Sequence, residues 1–161
     1  MSIEAVLAAL EQAPAIAALR NSTYVYPLVN VLHVIGIALL FGAIVPLDLR
    51  LAGWRREAGP VDPLARLLLP VAIFGLALAI ATGLLLFATD ARAYAESWLF
   101  RAKLVLIVAA LLNALALRRI DWRSGDAARP RIARAGVASV LLWLGVIVVG
   151  RLIGYDLPPL G

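Results

Sequence analysis

The sequence has no cysteine, a single histidine and a single methionine in 161 residues. The absence of cysteine excludes disulfides, thiolate metal sites and cysteine nucleophiles. One histidine cannot build a multi-histidine metal site within one chain, and it argues against a Ser-His-Asp triad. The glycines sit singly in apolar stretches, so no phosphate-binding loop is present. Most classes of soluble catalytic site therefore find no support.

Charged residues are also scarce. They make up 16% of the chain, whereas hydrophobic residues make up 63%, against about 45–50% in soluble domains. The mean hydropathy is +0.95. The net charge of +5 does not indicate nucleic acid, because the arginines cluster between long apolar runs instead of forming the basic face of a soluble fold. The composition predicts that the lipid bilayer is the partner and that nucleic acid is not.

Four apolar segments are long enough to cross a membrane, which takes about 20 residues. They span residues 25–47, 67–87, 99–117 and 136–154. Pro46 ends the first and Pro70 falls in the first turn of the second, where proline is tolerated. The sequence therefore predicts an all-α membrane protein, a four-transmembrane-helix bundle forming a single transmembrane domain over residues 1–161.

Arginines set the predicted orientation, because cytoplasmic loops are enriched in positive charge. Two of the loops are arginine-rich, with Arg50, Arg55, Arg56 and Arg66 in the first and Arg118, Arg119, Arg123, Arg129, Arg131 and Arg134 in the other. Both loops should be cytoplasmic, which places both termini in the periplasm of a bacterial inner (plasma) membrane. Residues 1–20 are too polar to span, and their apolar positions recur at helical spacing. They predict an interfacial amphipathic helix on the periplasmic surface.

Ionisable and polar residues inside the spans are candidates for a site, since they are costly in lipid. In this topology they all fall in the periplasmic half: His33, Asn30, Thr82, Arg101, Lys103 and Arg151. No acidic residue lies in the outer half of any span, so an anionic ligand could balance the cations. Haem propionates, a carboxylated substrate and lipid phosphate are the candidate classes.

Each of these features also has a simpler interpretation. Arginine and lysine near a helix end often extend to the headgroups, and His33 could hydrogen-bond Asn30 or a neighbouring helix. Gly36 and Gly42 could allow close helix packing or leave room for a flat macrocycle. Asp48 and Arg50 are predicted to form a capping or interfacial pair at the cytoplasmic end.

Two resemblances add to this interpretation. The stretch YPLVNVLHVIGIALLFGAIVPLDLRLAG, with FRAKLVLIVAALLN and LWLGVIVVGRLIG, resembles a family of bacterial four-helix membrane proteins of unknown function. The order of a His-containing first helix, RLLLPVAIFGLALAIATGLLLF and WLFRAKLVLI is similar to the haem-b membrane protoporphyrinogen oxidase, and more loosely to copper-resistance D-type proteins. That oxidase family has a haem site centred on a first-helix His and a third-helix Lys, which correspond to His33 and Lys103.

The sequence lacks histidines that the oxidase family has in its third helix. Phe100 stands where the oxidase has a histidine, and the family's Tyr-His near the end of the third helix is missing. These differences argue against the oxidase activity but leave haem binding, because one axial histidine suffices for a five-coordinate site. Two axial histidines would require a homo-oligomer that shares His33 from each copy.

The leading hypothesis is a membrane redox or electron-transfer protein that binds haem b, with His33 as the axial metal ligand and a quinone or another redox partner. Lys103, Arg101 and Arg151 would neutralise propionates or substrate, and Asn30 and Thr82 would supply hydrogen bonds. The alternative is a non-enzymatic accessory or small-anion transport or binding protein. A third possibility is a purely structural partner in a larger membrane complex.

Overall fold

The computed structural model describes residues 2–55, 59–118 and 129–156. In these ranges the regular secondary structure is entirely helical, and the helices are α1 (Ile3–Gln12), α2 (Pro14–Arg20), α3 (Val25–Ala52), α4 (Asp62–Thr89), α5 (Ala91–Glu96), α6 (Trp98–Arg118) and α7 (Arg129–Asp156). The four longest, α3, α4, α6 and α7, are long and apolar enough to cross a membrane. The prediction of an all-α, multi-pass membrane protein with four spanning helices is confirmed.

The helices extend beyond the apolar runs that predicted them. α3 continues to Ala52, α4 begins at Asp62 and α7 begins at Arg129. Hydropathy marks only the residues that suit hydrocarbon, whereas the backbone continues its internal hydrogen bonds into the interface. As a result Pro70 lies two turns inside α4 and not in its first turn, so that part of the prediction was wrong.

Two central helices organise the bundle. α3 packs against α4 on one side and α7 on the other, and α7 also packs against α6. The packing order is therefore α4–α3–α7–α6. The buried core draws on all four helices and contains Leu40, Ala43, Ala72, Ala110, Trp143 and Val146.

Glycines fix the closest helix crossing, which lies between α3 and α4. A Cβ atom added at Gly75 would lie 2.5 Å from the backbone nitrogen of Leu40, and one added at Gly36 would lie 2.7 Å from the nitrogen of Ala79. Small residues that let backbones approach are typical of membrane helix interfaces. Gly36 thus serves close packing. Gly42 does not, because a Cβ there would meet nothing within 4 Å.

The N-terminal segment forms two short helices, where the sequence predicted one. Pro14 starts α2 and leaves Ala13 extended, with ψ at 130°, because the residue before a proline is pushed out of the helical region. α1 packs on α5 and α2 packs on α4. The Glu11 carboxylate accepts hydrogen bonds from the backbone nitrogen and Nε of Arg92, both at 2.8 Å. These contacts tie α1 to α5.

The Glu11–Arg92 ion pair predicts that α1 detaches in acid. Burial raises the pKa of Glu11, but hydrogen bonds from Arg92 and the charges of Arg92 and Arg20 outweigh burial and hold it below 4.5. A carboxyl whose folded pKa is lowered stabilises the fold above its unfolded pKa, and that contribution is lost as the pH falls through the folded pKa. We therefore expect the α1–α5 contact to weaken as the pH drops below 4.5.

A nitroxide at Ala9→Cys would report this release, because the chain has no other cysteine. Its mobility should rise in acid. The rise should be absent in Glu11→Gln, whose label should already be mobile at neutral pH. Glu4→Gln is the matched control, since Glu4 is exposed, and it should retain the wild-type pH response. A label equally immobile at all pH values would contradict the role of this ion pair.

Candidate functional site

His33 is held by a threonine on the neighbouring helix. Nδ1 of His33 in α3 lies 3.0 Å from Oγ1 of Thr82 in α4. The Thr82 hydroxyl donates to the carbonyl of Leu78 at 2.6 Å, and a hydroxyl has only one hydrogen to donate. Its oxygen must therefore accept from Nδ1–H of His33. This network places a proton on Nδ1, and in the neutral tautomer with that proton the lone pair is on Nε2.

A glycine makes room for the imidazole. A Cβ added at Gly83 would come within 3.0 Å of Cε1 of His33, so the ring packs directly on the backbone of α4. The imidazole also forms a hydrogen bond with the backbone of Ala79 in α4. The ring is thus held against α4 by Thr82, Ala79 and Gly83, and Nε2 is the nitrogen that could ligate a metal.

Lys103 brings a positive charge to the same region. Its aliphatic stem and Nζ pack against Gly150 of α7, where an added Cβ would lie 3.2 Å from Nζ. Lys103 is half-buried, and its charge acts on the His33 imidazole. Within residues 2–55, 59–118 and 129–156 it forms no salt bridge. The structure therefore places near the His33 imidazole a lysine that has no acidic partner among the described residues.

The other predicted site residues lie outside this cluster. Nε and Nη2 of Arg101 donate to the carbonyl of Ala95 at 3.0 and 2.8 Å. Arg151 stacks on the Tyr155 ring, 4.8 Å from its centroid, and donates to its hydroxyl. Asn30 is exposed. The structure brings together His33, Thr82 and Lys103 only, and the functional roles of all six residues stay predictions.

An aromatic cluster adjoins the site and was missed from the sequence. It consists of Phe87, Tyr94 and Phe100, in which Phe87 and Phe100 stack with centroids 5.3 Å apart and an interplanar angle of 13°. Phe87 follows Gly83 by one turn of α4, and Phe100 precedes Lys103 by one turn of α6, so each shares a face with its site neighbour. The cluster joins α4 to α6 one turn nearer to α5 than the His33 region.

Tyr94 completes this cluster from α5. Its ring lies 6.1 Å from Phe87 and 5.4 Å from Phe100. Burial raises the pKa of the Tyr94 phenol, and the nearby Tyr26 and Asp90 raise it further. The hydroxyl therefore stays neutral, and the cluster brings no negative charge to Lys103. The sequence signal was the one-turn spacing of aromatics from Gly83 and Lys103.

Asp48 occupies a position that the sequence did not predict. It is only 3% exposed and does not pair with Arg50, which instead donates to the carbonyls of Trp54, Arg55 and Gly59. The predicted capping or interfacial pair was therefore wrong. The error arose because the predicted span stopped at residue 47, one residue short of a carboxyl that lies inside α3.

The chain stands apart in comparisons with other proteins: no protein-family model, curated protein or solved structure matches it. The resemblances noted in the sequence therefore stay predictions. In the described part of the chain, no three His, Asp or Glu side chains group to hold a metal ion. A metal ligated by His33 would have to bring its other ligands with it, as the iron of a porphyrin does.

Proposed function

We propose that this chain is a membrane redox protein that binds haem b through Nε2 of His33. The observation that carries the proposal is the hydrogen bond from Nδ1–H of His33 to Thr82. Histidines that ligate metals almost always donate their other ring N–H to such a partner, which fixes the tautomer and the ring orientation. When bound, haem supplies one-electron chemistry whose potential the protein sets.

The residues around His33 fit this ligand in charge. Lys103 has no acidic partner in the described residues, so its ammonium is available for a propionate. Gly83 and Gly150 give the His33 ring and the Lys103 stem room to pack on the backbones of α4 and α7. Electrons would pass to a quinone or a protein redox partner, and a homo-oligomer would bring a second His33.

We place the protein in the bacterial inner membrane, with both termini in the periplasm. The arginine-rich loops support this orientation. Ile3, Val6 and Leu10 of α1 are exposed, and α1 is anchored beside α5 by the Glu11–Arg92 ion pair. These features support an interfacial α1 whose apolar face contacts lipid.

Cysteine labelling in intact cells tests this orientation, because the chain has no cysteine of its own. Ser2→Cys should react with an impermeant maleimide, and Arg66→Cys should not.

The spectrum of the purified protein tests the haem proposal. Protein from haem-replete cells should show a Soret band, with α and β bands after dithionite reduction, and His33→Ala should lose them. Asn30→Ala is the matched control, because Asn30 lies one turn away on α3 and is exposed. It should retain the wild-type spectrum. A featureless wild-type spectrum, or an unchanged one in His33→Ala, would contradict the proposal.

A second candidate function is binding of a small anion without redox chemistry, in an accessory or transport protein. The unpaired, half-buried Lys103 favours it, since a desolvated cation needs a negative partner. In that case the spectrum is featureless, and radiolabelled anion binding is lost in Lys103→Ala and kept in His33→Ala. Equal loss of anion binding in both variants would contradict this alternative and would indicate a site that needs both His33 and Lys103.

A further inference from the structure

Asp48 is a buried carboxyl that the proposed haem site does not use. It lies fifteen residues after His33 in α3, which separates the two by about 22 Å along the helix axis. The side chain belongs to the core at 3% exposure. Its Oδ2 atom is buried without a hydrogen-bond partner in the described residues. Such an oxygen needs a hydrogen, either its own or that of a ligand.

The neighbourhood of Asp48 is built by α7. The Ser139 hydroxyl lies within hydrogen-bonding reach of the Asp48 carboxyl and is itself only 3% exposed. Gly136 allows the close approach, because a Cβ there would lie 2.6 Å from the backbone oxygen of Asp48. The nearest amide on α6, Asn113, is already committed to the carbonyl of Ala135 at 2.9 Å.

No charged side chain among the described residues acts on this carboxyl. In residues 2–55, 59–118 and 129–156, Ser139 is the one side chain that acts on it. On its own helix, Arg50 donates to the loop carbonyls. The charged groups nearest in sequence on α4 and α7 are exposed: Asp62, Arg66, Arg131 and Arg134. An ionised carboxylate in this position would be desolvated and unpaired, which is strongly unfavourable.

A proton removes that penalty. It forms an O–H bond at Oδ2, cancels the charge and converts the unpartnered acceptor into a donor. Asp48 also lies only four residues before Ala52, where α3 ends, or about 6 Å along the axis. We propose that Asp48 is a proton-binding site that exchanges with water at the C-terminal end of α3, in the half of the bundle opposite His33.

Infrared difference spectroscopy between neutral and alkaline buffer tests this proposal on the full chain in liposomes. Wild-type protein should show the C=O stretch of a protonated carboxylic acid that shifts in ²H₂O and disappears at high pH. Asp48→Asn should lose the band completely. Asp62→Asn is the matched control, because Asp62 is an exposed acid at the start of α4, and it should leave the band unchanged.

Ser139→Ala keeps the test decisive if Asp48→Asn fails to fold. It should retain the band and move its frequency, because the acid loses one hydrogen-bond partner. Absence of the band at every pH, or a band that never responds to pH or to ²H₂O, would overturn the proposal. So would a band that Na⁺ removes at constant pH, since Asp48 would then be a metal-cation site.

Discussion

Gly75→Ala is expected to destabilise the helix bundle by about 3 kcal/mol, at the upper end of the usual cost of overpacking. The added Cβ would lie 2.5 Å from the nitrogen of Leu40 and 2.7 Å from the oxygen of Gly36. Both are backbone atoms of α3, so no side-chain rotation can relieve the contact. α3 and α4 would have to separate along their whole interface, which is the most extensive in the described bundle.

Gly42→Ala is the matched control for this prediction. Gly42 lies in α3 like Gly36, yet an added Cβ there would meet no atom within 4 Å. Alanine should leave stability unchanged or raise it by about 0.5–1 kcal/mol through helix propensity. The measurement is the unfolding midpoint in mixed detergent–SDS micelles, followed by circular dichroism. Equal midpoints for Gly75→Ala and Gly42→Ala would show that the close crossing does not stabilise the fold.

Thr82→Val is expected to weaken haem affinity roughly 10–100-fold, the usual effect of removing the group that orients a metal-ligating histidine. Valine has the shape of threonine but cannot accept the hydrogen bond that Nδ1–H of His33 makes at 3.0 Å. The imidazole would then be free to rotate or to change tautomer. This prediction depends on the proposed function, and haem titration of the apo-protein measures it.

Thr82→Ser separates this orienting role from simple packing. Serine keeps the hydroxyl that accepts from His33 and donates to Leu78, so affinity should stay close to wild type. Because Thr82 is buried, the unfolding midpoints of both variants should be recorded as well. Affinity that falls equally in the two variants, or in neither, would mean that the hydroxyl does not orient the ligand.

The sequence predicted the spanning helices but not their arrangement. Four long apolar runs are sufficient to predict four spans, because the hydrocarbon thickness dictates their length. The order α4–α3–α7–α6 could not be predicted in the same way. In lipid both the exposed and the buried faces of a helix are apolar, so periodicity does not reveal which face packs. That choice is made by single close contacts such as Gly75 on Leu40 and Gly136 on Asp48.

The sequence predicted the depth of the candidate site residues in the membrane, but not the direction in which their side chains point. Counting residues along each span places His33, Thr82 and Lys103 at similar depths, and the structure brings them together. Arg101 and Arg151 have comparable depths, but their side chains reach Ala95 and Tyr155. Depth follows from the rise of 1.5 Å per residue, whereas direction depends on how each helix is rotated about its axis.

The packing order also has a consequence for assembly during synthesis. α3 and α4 are adjacent in the chain and form a hairpin that can close before α6 and α7 have left the ribosome. Until α7 docks, the face of α3 that carries Asp48 has no protein cover and is presented to lipid. A proton on Asp48 would lower the cost of exposing this intermediate to the bilayer. When α7 docks, Ser139 would then give the carboxyl a hydrogen-bond partner.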